Sequence, residues 1–147
     1  FSVRCKHCSQ GNHISNEHID EVKAKQAIYD ICSHNNIGSL MTFGGEPLLY
    51  PETVCKIHSA ARKMNIPQRE LITNGYFSKD IGRIKEVAHM LAQSGVNGIC
   101  LSVDAFHQET IPLSMLKNLQ VLLLKKKFQY ILTLLGLSVL MTTIRIT

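Results

Sequence analysis

Apolar side chains recur along the chain at the three- and four-residue spacing of amphipathic helices. The first such stretch predicts a helix over residues 16–34, capped by Ser15 or Asn16. Its predicted inward face comprises Ile19, Val22, Ala27, Ile28 and Ile31. Three further helices are predicted to begin near residues suited to a first turn, namely Pro51, Ser78 and Pro112. Gly95 stands where a helix-ending glycine belongs.

Short apolar runs between these helices predict four buried strands. They are Ile37–Phe43, Glu70–Thr73, Gly98–Val103 and Phe128–Leu135. Strands that alternate with helices predict an α/β fold of parallel βα repeats with right-handed crossovers. A doubly wound sheet and part of a βα barrel both satisfy this pattern, and the sequence does not separate them.

Unusual residues follow the predicted strands. Gly44-Gly45-Glu46-Pro47 comes after the first strand, and Thr73-Asn74-Gly75 ends the second. In both architectures binding sites gather at the carboxyl ends of parallel strands, so these segments are expected at one rim. Paired glycines let a backbone approach a ligand closely, and the carboxylate beside them can pair with an ammonium group. The alternative interpretations are a tight turn with a solvated glutamate and a simple Asn-Gly turn.

The third strand ends in Ser102-Val103-Asp104, followed by His107. Ser102 and Asp104 share one face of a strand and suit hydrogen bonding to a ribose or another polar substrate. Asp104 equally suits a helix cap or a turn. His107 is a candidate acid–base group or substrate contact, and a structural histidine is the competing interpretation.

Cys5 and Cys8 form a C-x-x-C motif. Two thiolates at this spacing can share a metal or a cluster or form a redox disulfide, and two incidental core cysteines are the alternative. A zinc site would need two more ligands, for which His13 and His18 are available. The other three cysteines lie at apolar positions and are most simply core residues: Cys32, Cys55 and Cys100. An odd cysteine count without a secretory segment predicts a reducing, cytoplasmic location.

Taken together, the C-x-x-C, Gly-Gly-Glu-Pro, Thr-Asn-Gly and Ser-Val-Asp segments resemble the radical SAM superfamily over residues 1–135. The resemblance implies a partial βα barrel that binds a four-iron, four-sulfur (4Fe-4S) cluster and S-adenosylmethionine, and that generates a deoxyadenosyl radical for hydrogen abstraction. It makes Cys5 and Cys8 cluster ligands. It assigns cofactor binding to Gly44, Gly45, Glu46, Pro47, Asn74, Ser102 and Asp104. The partners it implies are a small-molecule or peptide substrate and a reductant such as a ferredoxin or flavodoxin.

One position departs from the family pattern. The first cysteine of the family motif falls on Phe1, which cannot ligate iron. The first barrel strand is also expected ahead of this loop. These departures predict a truncated core, residues 1–135, whose activity is impaired or absent. The alternatives are a small zinc-binding protein and a non-functional α/β fragment.

The charge distribution separates the end of the chain from the rest. The 147 residues carry 16 Lys and Arg against 11 Asp and Glu, and the excess lies entirely after Glu109. A single lysine triplet, residues 125–127, lacks the interleaved aromatic and polar readers of a nucleic-acid surface, so no nucleic-acid partner is expected. The uncharged run from Phe128 to Ile144 is interpreted as a strand with an apolar extension, a membrane span or an out-of-frame translation. No membrane partner is predicted, and residues 136–147 are treated as an apolar tail.

Overall fold

The computed structural model describes residues 17–102, 111–126, 128, 130–134 and 144–145. The helices within these ranges are α1 (Glu21–His34), α2 (Pro51–Lys63), α3 (Ile81–Ser94) and α4 (Leu113–Leu124). The strands are β1 (Ser39–Thr42), β2 (Gln68–Thr73), β3 (Gly98–Ser102), β4 (Tyr130–Leu134) and β5 (Ile144–Arg145). A short 3₁₀ helix, Pro47–Leu49, precedes α2.

The strands lie in the sheet in the same order as in the chain. β1 to β4 are parallel, and β5 pairs antiparallel with β4. Consecutive helices contact each other, α1 with α2, α2 with α3, and α3 with α4, so they form one layer on one face of the sheet. A doubly wound sheet reverses its strand order and carries helices on both faces. The fold is therefore the open, partial βα barrel of the two predicted alternatives.

The core lies between the sheet and its helical layer. β2 and β3 contribute Leu71, Ile99 and Leu101, which are at most 1% exposed. They pack in one cluster with apolar residues of α2, α3 and α4, among them Val54, Ile84, Val87, Leu91, Leu116, Leu119 and Leu123. Alternate strand residues project to the opposite face, where Met41 of β1 is 43% exposed.

The predicted start of the first helix was wrong. Asp20 caps α1, because its carboxylate accepts hydrogen bonds from the backbone N–H groups of Val22 and Lys23. The inward face of α1 also differs from the prediction. Ile28 is buried, with Ala24 and Cys32 packed in the same cluster one turn to either side, whereas Ala27 is exposed and Ile19, Val22 and Ile31 are 60%, 65% and 51% exposed.

Other predicted boundaries differ less from the structure. Asp80, rather than Ser78, caps α3 through the N–H groups of Gly82 and Arg83. Gly95 ends α3 with a φ of 93°, as predicted. β4 lies inside the predicted strand Phe128–Leu135, which agrees with the strand interpretation of the apolar run. In the described part of the chain, no helix has both the length and the apolarity needed to cross a membrane. The division at residue 135 stays a prediction.

Candidate cofactor site at the carboxyl ends of β1 and β2

The glycine loop, defined as residues 43–46, leaves the carboxyl end of β1. Gly44 and Gly45 have φ values of 93° and 58°, in the left-handed region where a side chain strains the backbone. Two consecutive residues of this kind turn the chain sharply from β1 toward the short helix that begins at Pro47. The sequence needs both glycines to make this turn.

Glu46 ends the loop with its side chain buried, at 4% exposure. Its Oε1 accepts hydrogen bonds from the Leu48 N–H at 2.9 Å and the Thr73 hydroxyl at 2.6 Å. Its Oε2 accepts one from the Asn74 N–H at 2.8 Å. The carboxylate thereby joins the end of β1 to the end of β2. Burial raises the pKa of the Glu46 carboxyl, and the three donors act against that rise.

Asn74 and Gly75 form the turn after β2, as one of the two predicted interpretations had it. The Asn74 side-chain oxygen accepts from the Tyr76 N–H at 2.8 Å, and the Thr73 hydroxyl oxygen accepts from the Gly75 N–H at 2.9 Å. Gly75 has a φ of 72°, and a Cβ there would stand 2.7 Å from Leu116 Cδ2. The turn is therefore packed tightly against α4 and held in place by the same carboxylate that holds the glycine loop.

A cavity of about 760 Å³ opens beside the glycine loop. Its wall includes all four residues of the loop, together with parts of β1, α1 and α2. At its rim His18 stacks on Tyr50, with ring centroids 4.4 Å apart and planes 12° apart. Phe43, another aromatic residue of the wall, is 65% exposed. At the two glycines the cavity wall is therefore bare backbone, and elsewhere it includes aromatic side chains.

Thr42, the last residue of β1, has a polar partner on the helical side of the sheet. Its hydroxyl lies 3.0 Å from Nε2 of His58, a fully buried residue of α2. The Nδ1 atom of the same ring has no hydrogen-bond partner. Burial lowers the pKa of His58 to about 4, and the positive charge of Arg69 on β2 acts in the same direction. The ring is therefore neutral at physiological pH.

The end of β3 contributes Ser102, which is half-buried. Cys100, two residues earlier, shares its face of the sheet and is also half-buried, whereas Ile99 and Leu101 between and beside them are buried on the helical side. Burial raises the pKa of the Cys100 thiol, and Glu70 on the neighbouring strand adds to the rise. Asp104 and His107, predicted at this rim, lie outside the described residues.

The described residues contain no group of three or more His, Cys, Asp or Glu side chains placed to hold a metal ion. Cys5, Cys8 and His13 lie outside them. Cys32 and Cys55 pack beside the two apolar clusters, in agreement with their predicted place in the core. Burial raises the pKa of the Cys55 thiol.

The roles of Thr73 and His58 in the site are not predicted from the sequence. Thr73 belongs to the Thr-Asn-Gly segment, but nothing there indicates its bond to Glu46, and His58 simply occupies an inward position among the apolar residues of α2. A polar residue at an inward helical position is a signal that a buried partner exists, but it does not identify that partner. The partner of His58, Thr42, lies 16 residues earlier in the chain, so no local pattern connects the two.

Comparison with known proteins gives one assignment. A family model, described as the radical SAM superfamily, matches residues 2–133. The matched range includes the C-x-x-C motif, the glycine loop and the ends of the first three strands. Comparison with curated proteins gives no match. Because the family model covers most of the sequence, the chain belongs to the radical SAM superfamily.

Proposed function

We propose that this chain is the core of a radical SAM enzyme that binds a 4Fe-4S cluster through Cys5 and Cys8 and S-adenosylmethionine through the glycine loop. When bound, these two groups supply reductive cleavage of the sulfonium and a deoxyadenosyl radical that abstracts hydrogen from a substrate. The substrate, small molecule or peptide, and the reductant, such as a ferredoxin or flavodoxin, belong to the same proposal.

The observation that carries the proposal is the conformation of Gly44 and Gly45 at the wall of the cavity. Both have positive φ and lack side chains, so a ligand can meet the loop backbone directly. Backbone carbonyl oxygens are suitable acceptors for an ammonium group such as that of the methionine moiety. The residues present therefore fit the ligand.

Glu46 acts mainly as a positioning residue in this proposal. A carboxylate has about four acceptor positions, and the Leu48, Thr73 and Asn74 donors occupy three. One position is left for a ligand ammonium group, while the other contacts fix the loop. Pro47 then directs the chain into its short helix, whose residues Pro47 and Leu49 also line the cavity.

Residues on the next two strand ends would contact the rest of the cofactor or the substrate. Asn74 lies beside Glu46 and Ser102 ends β3, so both occupy the carboxyl edge of the sheet. Asp104 and His107 are assigned to the same edge by their place in the sequence, with His107 as the candidate catalytic residue.

Phe1 in place of the first cysteine leaves two thiolates for the cluster. We expect a cluster held in this way to be labile, because an iron without a thiolate depends on an outside ligand. Activity of the chain is accordingly proposed to be impaired.

The test is anaerobic reconstitution with iron and sulfide, followed by metal and acid-labile sulfide analysis and by calorimetric titration with S-adenosylmethionine. We expect substoichiometric iron and sulfide in the natural sequence, a higher content in F1C, and loss of both in C5A/C8A. Stoichiometric zinc instead, retained through Cys5 and Cys8, would favour the zinc-binding alternative and overturn the cluster assignment.

The glycine loop is tested separately by G45V. A β-branched residue strains the left-handed conformation, so affinity for S-adenosylmethionine should fall about tenfold or more. The matched control is G38V, because nothing lies within 4 Å of a Cβ at Gly38. Equal affinity of G45V and G38V would contradict the proposed role of the loop.

A further inference from the structure

The glycine loop is held at each end by a side-chain hydrogen bond, which is buried at the Glu46 end and partly buried at the Thr42 end. At its downstream end Glu46 bonds to Thr73 at 2.6 Å, and just upstream of it Thr42 bonds to His58 at 3.0 Å. Between these points stand Phe43, which is 65% exposed, and the two glycines, which have the greatest conformational freedom of any residue. The conformation of the loop therefore depends on how firmly its two ends are fixed.

His58 is unusual for a residue that merely fills the core. Its ring is fully buried, yet only Nε2 has a partner and Nδ1 has none. A buried polar atom without a hydrogen bond costs about 1–3 kcal/mol. An apolar side chain in the same place would avoid that cost but would leave the Thr42 hydroxyl without its partner.

We propose that His58 is a positioning residue for the glycine loop, whose neutral ring fixes Thr42 and whose protonation releases the upstream end of the loop. The consequence for the cofactor rests on the proposed function, whereas the coupling between His58 and the loop does not. The inference rests on residues that the structure describes and does not depend on Cys5 and Cys8.

The geometry explains why the two protonation states differ. In either neutral tautomer the ring can share a hydrogen bond with the Thr42 hydroxyl, which both donates and accepts. The imidazolium carries N–H groups at both nitrogens, and Nδ1 has no acceptor. The positive charge of Arg69 on β2 also acts on the ring and disfavours a second positive charge there. Protonation therefore favours movement of the ring out of this buried position, and that movement breaks its contact with Thr42.

The coupling can be measured by NMR on the full 147-residue chain without ligand. The ring signals of His58 report its protonation, and the amide signals of Gly44 and Gly45 report the loop. We expect the two glycine amides to shift with the midpoint of His58 as the pH falls from 7 to 4. The Gly38 amide, just before the amino end of β1, serves as the internal reference and should not share that midpoint.

Burial raises the pKa of the Glu46 carboxyl, so its titration needs its own control. In E46Q the carboxyl titration is removed, and the glycine amides should still follow His58. In H58Q the ring titration is removed while a side-chain amide can still reach Thr42, so the glycine amides should lose the transition at the His58 midpoint and keep only the transition that E46Q removes. H89Q is the matched control, because His89 is an exposed residue of α3 near Lys126 and should leave the loop titration unchanged.

T42V covers the case in which His58 variants fail to fold. It keeps the histidine but removes the hydroxyl, so the ring should still titrate while the glycine amides no longer follow it. The proposal is overturned if the Gly44 and Gly45 amides ignore the His58 midpoint, if H58Q keeps the transition at that midpoint, or if Gly38 moves with the same midpoint, which indicates general unfolding.

A second readout connects the loop to the cofactor. H58L should weaken S-adenosylmethionine binding about tenfold at pH 7.5, and H58Q should restore most of it. If the NMR coupling is observed but no variant and no wild-type protein binds S-adenosylmethionine, the proposed function fails and the positioning role of His58 stands. If the protein binds S-adenosylmethionine but the glycine amides do not follow His58, the positioning role of His58 fails and the proposed function stands.

Discussion

The Glu46 carboxylate and the Thr73 hydroxyl are joined by a buried hydrogen bond of 2.6 Å that links the ends of β1 and β2. Thr73 is 2% exposed and also accepts from the Gly75 N–H, so one hydroxyl serves both the glycine loop and the turn that follows β2. The two segments behave as one unit, and substitutions in either should affect both.

The first prediction concerns T73V, which keeps the shape of the side chain and removes its hydroxyl. A buried carboxylate loses one of three donors and the Gly75 N–H loses its acceptor, so the free energy of unfolding should fall by about 2–3 kcal/mol. Urea unfolding monitored by circular dichroism measures this change. T53V makes the same chemical change in α2, at a hydroxyl that does not bond to Glu46, and should cost under about 1 kcal/mol. Equal losses in the two variants would contradict the role given to Thr73.

The second prediction is that G75A is destabilising because of both conformation and space. A Cβ at Gly75, where φ is 72°, would lie 2.7 Å from Leu116 Cδ2 and 3.1 Å from Leu119 Cδ2. Both leucines are buried, so neither can move freely. Left-handed strain and overpacking together should lower the free energy of unfolding by about 2–4 kcal/mol.

G38A provides the comparison for this substitution. At Gly38 nothing lies within 4 Å of the added Cβ, so the change should be close to neutral. If G75A is as stable as G38A in the same urea titration, the turn is looser than its packing against α4 indicates.

The succession of elements could be predicted because each is encoded locally. Period-3.6 apolar stretches marked the helices, and Gly95 marked the end of α3 through a conformation that only glycine adopts easily. The start of α1 was predicted too early because Ser15, Asn16 and Asp20 all suit a helix cap, and only the backbone decides that Asp20 acts as one.

The placement of all helices on one face of the sheet could not be predicted in this way. Apolar periodicity shows that a helix has an inward face but not which side of the sheet receives it. The hydrogen bonds Glu46–Thr73 and Thr42–His58 could not be predicted either. They join residues 27 and 16 positions apart, respectively, and neither spacing belongs to a sequence motif. The Gly-Gly-Glu-Pro segment could be recognised from the sequence, because two consecutive glycines by themselves indicate an unusual backbone conformation.

The third prediction is that stability falls with decreasing pH through His58. The unfolded ring has a pKa near 6.5 and the folded ring has a pKa of about 4, so the unfolded chain binds more protons between these values. The stabilisation is complete above pH 6.5 and is lost as the pH falls toward 4, by up to about 3 kcal/mol.

Glu46 acts in the opposite direction. Its folded pKa is raised, so the folded chain binds more protons above pH 4.5, and its contribution decreases as the pH rises. Comparing the wild type with H58L at each pH cancels this carboxyl. Urea unfolding from pH 7 to 4 at constant ionic strength should give a smaller pH dependence for H58L. Parallel curves for the two proteins would show that His58 does not contribute.

The last prediction separates stability from binding by changing the opposite end of the sheet. Asn97, just before β3, accepts from the Arg69 N–H at 2.8 Å and donates to the Pro67 carbonyl at 2.7 Å. N97A removes both bonds from a nearly buried side chain and should lower the free energy of unfolding by about 2–3 kcal/mol.

Because Asn97 lies at the amino end of the strands, away from the glycine loop, affinity of the folded protein for S-adenosylmethionine should change by less than about twofold. T73V, with a comparable loss of stability, should weaken that affinity because it loosens Glu46. N118A, an exposed substitution on α4, should change neither quantity. Calorimetric titration under conditions where every variant is folded makes the comparison. If N97A weakens binding as much as T73V, the effect follows general stability, and the carboxyl ends of β1 and β2 have no special role.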